Sequence, residues 1–353
     1  MRLDPLFRPE SIAVIGASDK PTPGRRIIAS LERIGFAGRI FPVNPNYPSV
    51  LNRPCYASPA ELPEAPDIAV FCLGHERVFS AFEAAAKRGM KAAVIYDGGF
   101  AEQGAEGRAL QARIAAICVE AGIALCGPNC MGILNPHHKS TTYLQELREP
   151  AGLAGNVAIL SHSGGLCVGL LTDTRRFGFS HIVSSGNEAT VSAAAFLEYL
   201  LEDPHTAIVG GFIEAIREPE RFAAALDRAA ALGKPVVMVK VGRHERTRRA
   251  ITTHTGGDAD DSAAVSALLR AHGAIEVADI EGAARLGDQQ SVVHFLPCTR
   301  ISVSPRREDS LVRPHWLPRT SAGATRNRNR ARADFRGPSR CASHRRNRRH
   351  RHG

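Results

Sequence analysis

Apolar residues along this chain fall into short dense runs, separated by stretches in which they recur every third or fourth position. SIAVIG at 11–16, RIFPV at 39–43, IAVFCL at 68–73, AAVIY at 92–96 and IALC at 123–126 are runs of the first kind. A run that is apolar on both faces of the pleat predicts a strand buried between two layers, as in a parallel sheet. VFSAFEAAAK at 78–87 has helical spacing, and another helix is expected to start near Arg25, just after Pro23 and Gly24. Strands alternating with helices of this length need crossover connections, which predicts a doubly wound α/β fold.

The rhythm restarts with NVAIL at 156–160 and continues with HIVS at 181–184, AIVGGFI at 207–213 and PVVMVK at 235–240. The division that follows is an α/β domain over 1–134, a linker over 135–155 and a second α/β domain over 156–288. A chain of 353 residues is long enough for two units that each bury a core. After Asp288 the periodicity stops, and residues 289–353 hold 16 Arg, no Lys and only Glu308, Asp309 and Asp334 as acids. Such a segment cannot bury enough apolar surface to order itself and is expected to be a disordered basic tail. It reads either as a nucleic-acid arm or as out-of-frame translation of a GC-rich gene. The abrupt break directly after a helical pattern at 280–286, and the use of Arg without Lys, favour the second.

Charge and cysteine content narrow the picture further. The formal net charge is +10, but with the Arg-rich tail set aside the body is mildly acidic, so nucleic acid is not expected as a partner. The 8 Cys include no CxxC pair and no zinc-like cluster, which points to reduced thiols and no metal site. No apolar run approaches the ~20 residues of a membrane helix, and the first residues lack a signal-peptide apolar region. A soluble, cytoplasmic protein is expected.

The candidate chemistry sits where strands end. Gly16-Ala17-Ser18 closes the first strand ahead of a helix, whose free N–H groups and partial positive charge suit a phosphate; a tight turn needing glycine explains it equally. A nicotinamide site would need an acid at the end of the second strand, where Val43-Asn44-Pro45-Asn46 stands instead. Gly127-Pro128-Asn129-Cys130 ends the last strand of the first domain, and Asn129 can bond a ligand there or merely cap a turn. Cys130 has no His or acid placed near it by sequence and is not expected to be a nucleophile. Ser161-His162-Ser163-Gly164-Gly165 follows a strand and opens a helix, an arrangement that cradles an anion. It lacks the GxSxG of a serine-hydrolase elbow, and His162 reads as a loop residue rather than a base. His254-Thr255-Gly256-Gly257 places an imidazole on a glycine-flanked loop, where it is either polar surface or a phosphoryl-accepting nucleophile. Glu214 ends the strand at 207–213, and a carboxylate there can orient a histidine.

In this order, Gly16-Ala17-Ser18, Gly127-Pro128-Asn129-Cys130, Ser161-His162-Ser163-Gly164, Glu214 and His254-Thr255-Gly256 resemble the NDP-forming acyl-CoA synthetase family, which includes the succinyl-CoA synthetase α-subunit and ADP-forming acetyl-CoA synthetase. The resemblance covers about residues 5–288. It implies a Rossmann-like CoA-binding domain followed by a flavodoxin-like succinyl-CoA-ligase-type domain. The implied activity is acid–thiol ligation through an acyl phosphate and a phosphohistidine, with His254 and Glu214 catalytic. Ser161, Ser163, Gly164, Gly165, Thr255 and Gly256 would hold the phosphoryl group, and Gly16, Ser18, Asn44, Pro45, Leu73, Asp97 and Asn129 would line a CoA pocket. CoA and a small carboxylic acid are the implied substrates. ATP/ADP and Mg2+ would be bound by an ATP-grasp subunit or domain supplied in trans, within a hetero- or homo-oligomer. His162 stands where the succinyl-CoA synthetase pattern has Arg, and Gly257 where that pattern ends in Ala, so the acyl group and the nucleotide stay open. The sequence holds no ATP-grasp region, which leaves a CoA-binding regulatory module or a truncated remnant as the alternative.

Overall fold

The computed structural model describes residues 1–147, 150–172, 178–240 and 262–277. The histidine loop at 252–258, the helical pattern at 280–286 and the basic tail all lie outside the described residues.

The first sheet is built from β1 (Ser11–Ile15), β2 (Arg39–Val43), β5 (Ile68–Phe71), β6 (Ala92–Ile95) and β7 (Ala124–Cys126). They are parallel in the order β2-β1-β5-β6-β7. Every residue of β1, β5, β6 and β7 is buried, as strands covered by helices on both faces must be. The crossovers are α2 (Pro23–Ile34), α3 (His75–Lys87) and α4 (Ala105–Ala121). Helix α2 carries proline in its first turn and closes on Gly35 in the left-handed region, while Ile27, Ile28 and Leu31 face the sheet. This is the expected asymmetry of helix ends around one apolar stripe. A small hairpin, β3 (Ser49–Val50) with β4 (Arg53–Pro54), follows β2.

The second sheet comprises β8 (Gly132–Asn135), β9 (Ser140–Thr141), β10 (Ala154–Ser161), β11 (Phe179–Ser184), β12 (Ile208–Ile213), β13 (Val236–Lys240) and β14 (Ile275–Val277). Its order is β14-β13-β12-β10-β11-β8-β9. Strands β10 to β14 are parallel, and α5 (Gly164–Thr172), α6 (Ala193–Glu202), α7 (Pro219–Ala231) and α8 (Ser262–Ala271) lie between them in sequence. The 135–155 stretch expected as a linker carries structure. Asn135 ends β8, β9 pairs back on it with Asn135 opposite Ser140, and β8 joins β11 antiparallel through Leu134 and Ile182. The sheet edge is thereby occupied by a hairpin, which leaves fewer unpaired backbone groups on β11.

One apolar cluster runs through both sheets, from Leu6, Phe7, Ile12 and Ile28 to Phe196, Phe222 and Leu269. Phe7, in α1 (Asp4–Phe7), stacks on Tyr199 of α6 at 4.2 Å and 12° and sits edge-on to His181 of β11. Each fully buried side chain of this size contributes about 2–3 kcal/mol, so the first helix is anchored on the second sheet. No helix among the described residues is long and apolar enough to cross a membrane.

Candidate functional site

In a doubly wound sheet the ligand crevice opens at the carboxyl ends of the strands, where the order reverses. In the first sheet that point lies between β1 and β5. Gly16 follows β1 with φ +89, and a Cβ there would come within 2.5 Å of the Cys72 carbonyl oxygen after β5. Only glycine takes that backbone at that distance. Ser18 is buried, its hydroxyl bonded to Thr22 at 2.9 Å. Asn44, at the end of β2, donates its amide to the Ala17 carbonyl at 2.7 Å and accepts from the Asn46 N–H at 3.0 Å, so it braces the loops after β1 and β2; Pro45 beside it is exposed. Leu73 is half-buried after β5. Asp97, after β6, accepts the His75 N–H at the start of α3 at 2.6 Å. Asn129 lies in the left-handed region at φ +56, donates its N–H to the Asp97 carbonyl and its amide to Asn187. The seven expected CoA-pocket residues thus come from the ends of five strands onto one edge of one sheet.

Cys130 is buried with its thiol 3.4 Å from the Ile95 carbonyl and 3.9 Å from the Cys126 sulfur. Its neighbour and burial push the Cys126 thiol well up; this pair packs beneath the loop.

The corresponding edge of the second sheet carries the second constellation, around the reversal between β10 and β12. The Ser161 hydroxyl donates to the Ser163 carbonyl and accepts the Ser163 N–H, at 2.8 and 3.0 Å. This closed turn hands the chain to α5, which starts at Gly164 and Gly165. The first amides of such a helix have no partner within it and form an anion-binding end. Glu214 follows β12 and is buried. His254, Thr255 and Gly256, the remaining expected members, lie outside the described residues.

His162 differs from the expectation of a plain loop residue. It is buried; its N–H donates to the Phe212 carbonyl, its Nδ1 accepts the Glu214 N–H at 3.1 Å, and its Nε2 lies 2.6 Å from Glu188. Burial by itself would raise the Glu188 carboxyl, but His162 and, more weakly, Arg217 at 3.7 Å outweigh it and hold the group below the usual carboxylate range.

The two edges are joined by the loop after β11. Gly127 donates its N–H to Ser185, Asn187 donates to Pro128 at 2.8 Å, and Ala189 donates to Gly127. The Asn187 amide also reaches Glu102 at 2.6 Å, whose other oxygen accepts the N–H groups of Gly99 and Phe100. Glu102, Ser185, Asn187, Glu188 and Arg217 were not expected. The signal present was Ser185-Gly186-Asn187-Glu188 directly after a buried run ending in Ser184, the same strand-then-glycine pattern that marks the other loops. Among the described residues no group of three His, Cys, Asp or Glu is placed to hold a metal.

Comparison with known proteins adds two domain families. Residues 10–136 match a CoA binding domain and residues 154–288 a succinyl-CoA ligase like flavodoxin domain. A trans-feruloyl-CoA synthase from an unknown prokaryotic organism is 38% identical over 79% of this chain and 41% of its own length. Subunit alpha of an ADP-forming acetate–CoA ligase II from Pyrococcus furiosus is 33% identical over 72% of this chain and 55% of its own. Among solved structures, acetyl-coenzyme A synthetase 1 of Ca. Korarchaeum cryptofilum, determined with phosphate and ADP, superposes with a TM-score of 0.75 at 30% identity, over 80% of this chain and 61% of that one. The chain thus spans about half the length of the curated relatives it matches.

Proposed function

Because the chain belongs to the NDP-forming acyl-CoA synthetase family, we propose that it is the CoA-binding and phosphohistidine half of an acid–thiol ligase. The observation that carries this reading is the joint between the two sheet edges. The loop after β11 bonds to Gly127 and Pro128, so the edge suited to CoA and the edge suited to phosphate open next to each other.

In the direction of acyl-CoA breakdown, phosphate attacks the thioester, and acyl phosphate and the free CoA thiol leave. His254 then takes the phosphoryl group through one ring nitrogen and releases the carboxylate. The phosphoryl group next passes to ADP, and the imidazole is regenerated. The Ser161–Ser163 turn and the first amides of α5 offer donors to phosphate oxygens as charge develops on them. Glu214 holds the other ring nitrogen of His254 and offsets the cationic ring. The first-sheet loops hold CoA: amides near Gly16 and the α2 end face its phosphates, and Asp97 with Asn129 fixes the loop nearest the second sheet. ADP/ATP with Mg2+ belongs to an ATP-grasp partner, in keeping with the separate alpha subunit of the Pyrococcus relative. The acyl group is a small or aromatic carboxylic acid, and the working compartment is the cytoplasm.

The test is to incubate the chain and a His254→Ala variant with an ATP-grasp subunit and ATP labelled at the terminal phosphate. The expected result is acid-labile, base-stable label that depends on His254. CoA binding without label would leave a CoA-binding module and overturn the ligase reading.

A further inference from the structure

His162 makes three contacts that tie together the ends of three strands. It belongs to the turn after β10, its main chain bonds Phe212 at the end of β12, and its ring spans from the Glu214 N–H to the Glu188 carboxylate in the loop after β11. The ring chemistry is fixed by these partners. A backbone N–H can only donate, so Nδ1 is the acceptor and the proton sits on Nε2, pointed at Glu188. With both nitrogens engaged and the side chain 6% exposed, His162 has no lone pair left for a phosphoryl group. Glu188 is the side chain that supports this tautomer from the other ring nitrogen. Its side chain is fully buried, its backbone is in the left-handed region at φ +54, and the same oxygen that meets His162 also accepts the Ser185 hydroxyl at 2.9 Å.

We infer that His162 and Glu188 are positioning residues for the phosphohistidine step: Glu188 selects the Nε2–H tautomer of His162, and the Nδ1 lone pair so exposed fixes the Glu214 backbone at the place from which its carboxylate reaches the reacting imidazole. This rests on the role given above to Glu214. If the tautomer reverses, an N–H on Nδ1 meets the N–H of Glu214, two donors face each other, and the end of β12 shifts. A displacement on the scale of 1 Å at a catalytic group costs up to about a hundredfold in rate. Glutamine is the one uncharged residue that can reproduce both contacts without a tautomer to choose, its amide oxygen accepting from Glu214 and its amide N–H donating to Glu188.

The experiment uses the full chain with an ATP-grasp subunit and terminally labelled ATP. It compares wild type, His162→Gln, His162→Leu, Glu188→Leu and the double variant His162→Gln/Glu188→Leu. Initial rate of base-stable label is read beside CoA affinity by calorimetry, which reports on the first-sheet edge and on folding. His162→Leu and Glu188→Leu, which removes the acceptor from Nε2, are expected to label at least about tenfold more slowly with CoA affinity unchanged, and His162→Gln within about threefold of wild type. In the His162→Gln background, Glu188→Leu is expected to cost no more than about threefold, because there is no tautomer left to select. Equal loss from Glu188→Leu in both backgrounds would overturn the inference, since Glu188 would then act directly on the phosphoryl group. So would a His162→Gln variant as slow as His162→Leu, or slow labelling in every variant with CoA binding lost alongside, which is a folding role. A wild-type chain that takes no label would overturn the ligase reading and this inference with it.

Discussion

His181 should make the stability of this fold depend on pH between about 6.5 and 4. It lies in the middle of β11, 1% exposed, edge-on to Phe7, and neither ring nitrogen has a hydrogen-bond partner. Burial lowers its pKa from the ordinary 6.5 to about 4; Asp203, 3.9 Å away, pulls the other way, and Arg8, His137 and His205 add to the lowering. The folded state therefore keeps the ring neutral while the unfolded chain protonates it. Stability is complete above about pH 6.5, where neither state binds the proton, and falls as the pH drops toward 4, where the unfolded state binds more. From these two values, moving from about pH 7.5 to about pH 5 removes about 2 kcal/mol.

Replacing His181 with Leu removes the titrating group without leaving a hydrogen bond unmade, because the ring makes none. The expected outcome is a variant at least as stable as wild type at about pH 5, whose stability changes over this range by about 2 kcal/mol less than that of wild type. Urea unfolding midpoints at the two pH values, with the slope checked for constancy, measure this directly. A His181→Leu variant that loses as much stability as wild type over the same range would show that His181 is not the group responsible.

Gly186 has φ +63, and a Cβ there would run into the Pro128 and Asn129 carbonyls; Gly186→Ala should cost about 2 kcal/mol or more and weaken CoA binding, read by urea unfolding and calorimetry. Glu102→Ala leaves the Gly99 and Phe100 amides and the Asn187 side chain without their acceptor, so it should cost about 1–3 kcal/mol and raise the Kd for CoA. Asp67 accepts the N–H groups of Glu10 and Ser11 and pairs with Lys91 at 2.7 Å; burial raises its carboxyl, but these partners lower it further. The stability it supplies is present above the ordinary aspartate pKa and lost as pH falls through the lowered value, so Asp67→Asn should be less stable at neutral pH by about 1 kcal/mol and lack that acid limb. Cys118 is pushed up to about 12 by burial, and Cys126 is raised as well; native-state alkylation followed by mass spectrometry should leave both unlabelled at neutral pH, and their rapid modification would contradict the packing described for them.

The parallel strands were legible because a strand covered on both faces has to be apolar throughout, and that condition is written in the sequence itself. β1, β5 and β6 begin where their apolar runs begin and end one or two residues before those runs do. The β8–β9 hairpin was not legible. Ser140–Thr141 is two residues of polar side chains, and what makes it a strand is its pairing with β8, which itself lies along the edge of β11, a tertiary fact. The expected residues of the first-sheet edge lie together because each comes soon after a strand and a parallel sheet brings all such positions to one side; their choice as a CoA pocket came from the family resemblance and not from strand position. The role of His162 was not legible, because its environment is assembled from three separate strand ends. Nothing within a few positions of it in the sequence says that an N–H from 214 and a carboxylate from 188 converge on its ring.

Glu188 also explains why its neighbour Asn187 matters. Asn187 reaches Glu102, Gln111 and Asn129 on the first-sheet edge, while Glu188 reaches His162 and Ser185 on the second. Their shared backbone is held by bonds to Gly127 and Pro128. Neither residue can move far without moving the other, because a buried carboxylate that loses its hydrogen bonds costs several kcal/mol. A ligand held by the Asp97 and Asn129 loops would meet Asn187 through Asn129, next in sequence to the Glu188 that bonds His162. Adjacent side chains of one turn thus bond to both edges, beside the backbone bonds to Gly127 and Pro128.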